Sequence, residues 1–420
     1  MHLLQNVETT SHPALRLKRK PKRSKHLQQI EIQQDPEKIL DEVFDGLHSG
    51  GGRSSIKGGQ SAANKALAAL DIRGYAKKRS EVLPVTARGA SVLSPYIRHN
   101  ILSLQEVWDS VSSAPSYDKE KYRDELLWQE YSRHLYARLG TRLFENLRFN
   151  QSWDTEGNGW PAGMACVDNV VAELEEDGWL VNQTRMWLAS HWSVRNGKGW
   201  LHGQEQMHRE LIDGSRAANL LGWQWTVGSG SGKPYGFARW QVQKRAPTLC
   251  GSCPLKSNCP IENFPADQSL EALPTEPLLA FDPDPNKTSG PLTTVRNTAP
   301  EKVLLTIDSL GDDDPALAAN PELPAIFVFN QKALAKLQLS SKRIFFYLET
   351  LQDLSERRDL SVLLGDPVEF AKDNKVAITH APVPSFEKYQ NLAEIHPYPW
   401  LKLPHASSVR SFSAWRGKLR

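Results

Sequence analysis

Apolar spacing changes character once along this chain, and that change limits the fold more than any other feature. From Gln60 to about Phe264, block after block carries apolar residues three and four positions apart, as in RDELLWQEYSRHLYARL, MACVDNVVAELEEDGW and GQEQMHRELIDG. That spacing is one face of an amphipathic helix, and no convincing strand interrupts it. Past Pro300, KVLLTID, PAIFVFN, LSVLLGD and KVAITHA read as strands, with SSKRIFFYLETLQDLSERR and PVEFAKDN as helices between them. Strands alternating with helices build a parallel sheet. The expected architecture is multidomain α and α/β: an all-helical domain followed by a small Rossmann-like α/β domain.

At 420 residues the chain has room for both. Residues 1–50 read as a basic arm and a short amphipathic helix (PEKILDEVFDGLH), and residues 51–264 as the helical domain. Residues 265–300, rich in Pro, Asp and Ser, read as a linker. Residues 301–385 form the expected α/β domain, and residues 386–420, which show no clear period, an extended tail. Net charge is only +3, yet Arg16 to His26 (RLKRKPKRSKH) holds no acidic residue. Such an arm suits a polyanion and equally a solvated segment. No apolar run nears the roughly 18 residues of a membrane span and no leader is readable, so a soluble, cytoplasmic protein without a membrane partner is expected.

Four cysteines exclude a disulfide scaffold and fit a reducing compartment. Cys250, Cys253 and Cys259 stand in LCGSCPLKSNCP, a C-x2-C-x5-C-P run, and Cys166 lies far upstream in GMACVD. Three clustered thiols and one distant thiol can complete a four-coordinate site. Pro260 and the absence of a clustered His favour a [4Fe–4S] cluster, with zinc as the runner-up; a buried Cys166 in the core is the plainer alternative.

Ten of the thirteen tryptophans lie between Trp128 and Trp240. Each buried indole N–H needs a partner, so stacking walls for bases or an electron-hopping chain would explain them better than core filling, which remains open. Polar groups also share helix faces: Glu125 with Trp128 three apart, Asn182 with Arg185 and Met186, and Asn219 with Trp223 four apart. GSGSGKP at 228–234 is no phosphate loop, because Val227 and Pro234 stand where that motif needs Gly and Ser or Thr.

GGQSAANKALAALDIRGYAKKRS, SVLSPYIRHNILSLQEVW, DELLWQEYSRHL, WLVNQTRMWLASHW and LIDGSRAANLLGWQW occur in that order. Together, over roughly residues 58–240, they resemble the FAD-binding helical domain of the photolyase/cryptochrome family. GMACVD with CGSCPLKSNCP is similar to the iron–sulfur bacterial branch, which also uses one upstream and three downstream cysteines. The segment from KVLLTID to LLGDP resembles the family's antenna domain, and SSVRSFSAWRG resembles its link to the helical domain. In the family the antenna domain comes first; here it comes last, as in a circular permutation.

The resemblance implies roles residue by residue. Tyr75, Ser91 and Ser94 would hold the FAD pyrophosphate, with Gly59 and Gln60 near it. Arg185 and Asp213 would pair beside the isoalloxazine, and Asn219 would face its N5 edge. Glu125, Trp128, Asn182, Met186 and Trp225 would line the pocket for a pyrimidine dimer flipped out of UV-damaged DNA. Trp223 and Trp200 match the two inner members of the electron-transfer chain; no Trp stands at the third position, with Trp192, Trp187 or the cluster as candidates for it. Cys166, Cys250, Cys253 and Cys259 would hold the cluster.

The sequence also departs from the family pattern. Gln129 and Gln183 stand where the family has Arg after the lesion-facing Trp and Asn. Ser215 replaces an Asp, and Ala90 and Val92 replace Thr and Arg. The usual arginines after the first antenna strand are missing, which argues against an antenna chromophore. The implied function is a blue-light-driven photolyase repairing pyrimidine dimers, with a cryptochrome-like photoreceptor as the alternative.

Overall fold

The computed structural model describes residues 27–266 and 269–419. The basic stretch Arg16–His26 lies outside them. Four apolar runs become the core of one sheet: β3 (Lys302–Leu305), β4 (Ala325–Asn330), β5 (Leu360–Gly365) and β6 (Val376–Thr379). With β1 (Gln28–Ile30), β2 (Val295–Arg296) and β7 (Ala393–His396) the order is β1-β5-β4-β3-β6-β7-β2. The five inner strands are parallel, and short antiparallel strands close both edges. Short edge strands offer little backbone to a foreign strand.

The expected boundaries therefore shift. β1 comes from the supposed arm, β2 from the supposed linker and β7 from the supposed tail, because an open sheet edge recruits whatever backbone can satisfy it. The tail also ends in a helix, Phe412–Arg416, with Trp415 fully buried. Within residues 60–264, as expected, the described elements are helical.

The order reverses between β3 and β6, where ligands of such sheets usually bind. Here Asp314 and Thr379 accept from the backbone N–H groups of Leu317 and Ala316, and Ser309 donates to Asp314. The chain's own polar groups thus bond one another in this crevice.

The helix Ser341–Ser355 lies between sheet and helical domain, and eleven of its fifteen residues are buried, Lys342 and Arg343 among them. A helix wrapped on all sides loses its polar face. Arg343 donates to the carbonyls of His208 and Leu211, and Lys342 to the Glu175 carbonyl at 2.7 Å and the Glu210 carboxylate at 2.9 Å. Both cations thus cap helix C-termini of the other domain. No helix among the described residues is long and apolar enough to cross a membrane.

Candidate functional site

Three helices carry eight of the residues that the resemblance singles out. Ser116–Leu139 bears Glu125 and Trp128, Asn182–Ala189 bears Asn182, Arg185 and Met186, and Arg216–Val227 bears Asn219, Trp223 and Trp225. The last packs against both of the others.

Exposure divides the indoles sharply. Trp187, Trp192, Trp200 and Trp223 are at most 4% exposed, whereas Trp128 is 37% and Trp225 42% exposed. Water contact on so large an apolar ring costs stability unless something else uses the ring. Trp225 leans on Tyr235 with ring centroids 5.4 Å apart, and Trp128 stacks on Phe412 at 4.0 Å and 10°. Asn182 is exposed, and the Glu125 carboxylate pairs with Arg79 at 2.9 Å and Lys121 at 3.5 Å.

Asp213 accepts at one oxygen from Arg185 (2.7 Å) and Ser94 (2.6 Å), and Ser94 accepts in turn from the Trp179 indole at 2.9 Å. The second carboxylate oxygen, Asp213 Oδ1, is buried without a partner. A buried acceptor left over in this way calls for a donor from a bound molecule. Asn219 donates to the backbone and side-chain oxygens of Gln204, both at 2.9 Å, which leaves its own carbonyl oxygen for a ligand. The Tyr75 ring meets Tyr122 edge-on at 4.9 Å, and the Tyr122 hydroxyl donates to Ser91 at 3.1 Å. Burial pushes the Tyr122 hydroxyl up to about 12, so it stays a neutral donor. Between these groups Val92 holds φ 55°, which is strained for a β-branched residue. The donor set and the orphaned Asp213 oxygen fit a flavin nucleotide, whose ring offers N–H donors.

Two expected pyrophosphate neighbours are placed otherwise. The N–H of Gly59 donates to Thr350 and that of Gln60 to Asp353, both on the Ser341–Ser355 helix. With their donors spent and a carboxylate beside them, these residues serve the domain seam rather than an anion.

Gly203 explains how the buried indoles meet. A Cβ there would stand 2.3 Å from Trp223 and 2.8 Å from Trp192, so the missing side chain lets the two rings approach. Trp192 meets Trp160 at 5.5 Å, and Trp160 is partly exposed. Trp200 is directed elsewhere, its N–H on Asn146 at 3.3 Å.

Cys166, Cys250, Cys253 and Cys259 all line one cavity, with Arg239 and Met164. Burial, followed by the other three thiols, pushes the Cys166 thiol up to about 12. Among the described residues no group of three or more His, Cys, Asp or Glu is arranged to hold a metal ion. A tetrahedral zinc would need its sulfurs only about 3.8 Å apart.

Sequence reasoning missed Phe412, Arg79, Gly203 and Gln204. Only Gly203, a glycine inside the Trp200–Glu210 helix, left a local trace.

Residues 122–243 match the family model described as the FAD binding domain of DNA photolyase. A "Deoxyribodipyrimidine photo-lyase" of Vibrio cholerae is 32% identical over 168 residues, covering 35% of this chain and 35% of that protein. One of Agrobacterium fabrum is 29% identical over 174 residues, covering 38% and 36%. A bacterial class III photolyase structure from Agrobacterium tumefaciens is 22% identical over 52% of this chain and 48% of that one, with a TM-score of 0.42. The matched segment spans about a third of the length of these curated relatives.

Residues 122–243 of the helical half are thus similar to the FAD binding domain of DNA photolyase. The likeness to the photo-lyases covers about a third of this chain and of theirs.

Proposed function

We propose that the chain is a blue-light-driven DNA photolyase that repairs UV-induced pyrimidine dimers, either cyclobutane dimers or (6-4) products. What carries this reading is the pair of exposed indoles, Trp128 and Trp225, on helices that match the FAD domain. Bound and photoexcited, reduced FAD supplies the electron that opens the lesion.

The chain's own residues bind and orient. Trp128 and Trp225 stack the flipped bases, Met186 lines the pocket, and Asn182 and Glu125 hydrogen-bond the base edges. Ser91, Ser94 and Tyr75 hold the phosphate side of the cofactor, while Arg185 and Asp213 sit beside its ring. Asn219, fixed by Gln204, offers its carbonyl oxygen near the flavin. Trp223, with Trp192 and Trp160 beyond it, supplies a route for electrons from the surface; Trp200 remains a candidate branch. The four cysteines hold a structural [4Fe–4S] cluster, zinc being the runner-up. The domain order is that of a circularly permuted family member.

The test is repair of an oligonucleotide carrying one thymine dimer, with photoreduced protein, in blue light and in the dark. Light-dependent loss of the dimer is expected. Glu125→Ala should lower repair about 10-fold or more while FAD stays bound, as expected for loss of a hydrogen bond to a charged group; unchanged repair removes Glu125 from the mechanism. Cys250→Ser should lose iron and sulfide together with much of the folded protein. Equal iron and sulfide in mutant and wild type overturns the cluster.

A second reading, a cryptochrome-like photoreceptor, draws support from Glu125, whose carboxylate is held by Arg79 and Lys121, and from Gln129 and Gln183. Such a protein changes conformation in light and leaves the dimer intact.

A further inference from the structure

Three residues along one face of the Ser116–Leu139 helix hold the short helix Tyr75–Lys78. Asp118, Tyr122 and Glu125 stand at i, i+4 and i+7, positions that an α-helix brings into line. Asp118 Oδ2 accepts from the Gly74 N–H at 2.8 Å and Oδ1 from the Ala76 N–H at 2.9 Å, so one carboxylate brackets Tyr75. Gly74 enters the short helix at φ 79°, a left-handed conformation that a side chain resists. The Tyr75 ring then meets Tyr122 edge-on at 4.9 Å, and the Tyr122 hydroxyl donates to Ser91 at 3.1 Å. Arg79, which follows the short helix, pairs with Glu125.

A free carboxylate beside Tyr75 would repel a phosphate, yet this one is already committed. The Ala76 and Gly74 N–H groups hold the Asp118 carboxyl below the usual carboxylate range, so it stays an anion spent on the backbone. Asp118, Gly74 and Ala76 are all partly exposed, and water would serve these groups if the bonds were absent. Their net contribution to folding is therefore small. What they fix is the direction of Tyr75. Ser91 lies in a different loop, and the same helix reaches it one turn later through Tyr122. Ala90 and Val92 flank Ser91 and carry no polar side-chain atom, which leaves few groups to meet a phosphate. With few contacts, affinity depends on how well each is set beforehand.

We propose that Asp118 is a positioning residue for the cofactor: together with Tyr122 it presets Tyr75 and Ser91, from two separate loops, for the phosphate side of a flavin nucleotide. The proposal rests on the flavin site of the proposed function, though not on repair. It gives the first two turns of the Ser116–Leu139 helix a part in cofactor binding without any contact to the cofactor from Asp118 itself.

The experiment titrates the full-length protein with FAD, followed by flavin fluorescence, and records melting with and without saturating FAD. Asp118→Asn keeps the size of the side chain but turns an amide donor toward one of the two N–H groups, and FAD affinity should fall about 10-fold. Tyr122→Phe keeps the ring and loses the donor to Ser91, for a fall of about 3-fold. In both variants the melting temperature without FAD should stay near that of wild type, while the rise that FAD causes shrinks. A purely structural role would instead lower both melts together. Wild-type FAD affinity in Asp118→Asn, or two melts lowered by the same amount, overturns the positioning role. A wild-type protein that binds no FAD overturns it together with the flavin reading. Affinity lost in Asp118→Asn, with no repair by wild type, would leave the positioning role standing and remove the photolyase reading alone.

Discussion

Arg343 at the domain seam and Arg410, two residues before the Phe412 that stacks on Trp128, are the same side chain under opposite conditions. Arg343 is buried with its donors on the His208 and Leu211 carbonyls, whereas Arg410 is exposed and, among the described residues, unpaired. A buried guanidinium is tolerable only when its donors are used, so the seam is closed to ligands. An exposed one costs nothing while it waits for an anion. The aromatic residues repeat the contrast, with Trp223 and Trp192 sealed inside and Trp128 and Trp225 open to solvent. Burial thus separates side chains that hold the molecule together from those left free to hold something else.

The hardest test of that contrast is Arg343→Met. It would strand two buried carbonyls and cost about 3 kcal/mol, whereas Arg410→Met should stay within about 0.5 kcal/mol. Chemical denaturation of the two variants gives the comparison directly. Equal losses would mean that exposure does not separate structural from ligand-facing cations here.

Acid should open the seam before the rim. His99 is buried between the Ile307 carbonyl (2.6 Å) and the Ile212 carbonyl (3.1 Å), and the neutral ring, with one N–H, donates to one of them at a time. Burial, then the Arg98 charge, lowers its pKa from 6.5 to about 3. The unfolded chain therefore takes up a proton near pH 6.5 that the folded chain refuses. Stability is complete above that pH and falls by about 1.4 kcal/mol per unit toward the folded value. His380, lowered by burial to about 4, acts in the same direction. His99→Gln should flatten the fall measured by denaturant titration; an unchanged slope would assign it to other groups.

Much of this division was readable from the chain, and the rest failed for identifiable reasons. β4 and β5, six residues each, and the Ser116–Leu139 and Ser341–Ser355 helices follow from apolar period, and the four-residue β3 and β6 from being short continuous apolar runs. β1, β2 and β7 have three, two and four residues, too few to display a period, and they exist because the sheet edges needed partners. Nothing local in SSKRIFFYLETLQDL tells that a second domain will cover Lys342 and Arg343. Gly59 and Gln60 matched a motif, yet their donors went to Thr350 and Asp353 nearly three hundred residues away. The cysteine spacing was local and gathered around one cavity. Phe412 reaches the site through tertiary contact alone.

The smallest expected effect sharpens the rim side. Gln129 follows Trp128 on the long helix and is partly exposed, while Gln183 donates to the Tyr235 hydroxyl at 3.2 Å and is less free to change. Gln129→Arg therefore adds one cation beside the stacking indole with little else disturbed, and stability should shift by no more than about 0.5 kcal/mol. If the strand's backbone passes both sides of Trp128, the salt slope of oligonucleotide binding should steepen by about 0.7. Arg410→Gln, the loss of an exposed cation, should flatten it by as much, and Gln129→Arg placed in that variant should recover the slope, because the count of neutralised phosphates is what the slope reads. A slope unmoved by Gln129→Arg, beside one flattened by Arg410→Gln, would confine the backbone to the Arg410 side. The two lost arginines would then mark a strand path that this chain has shifted toward its own C-terminal segment.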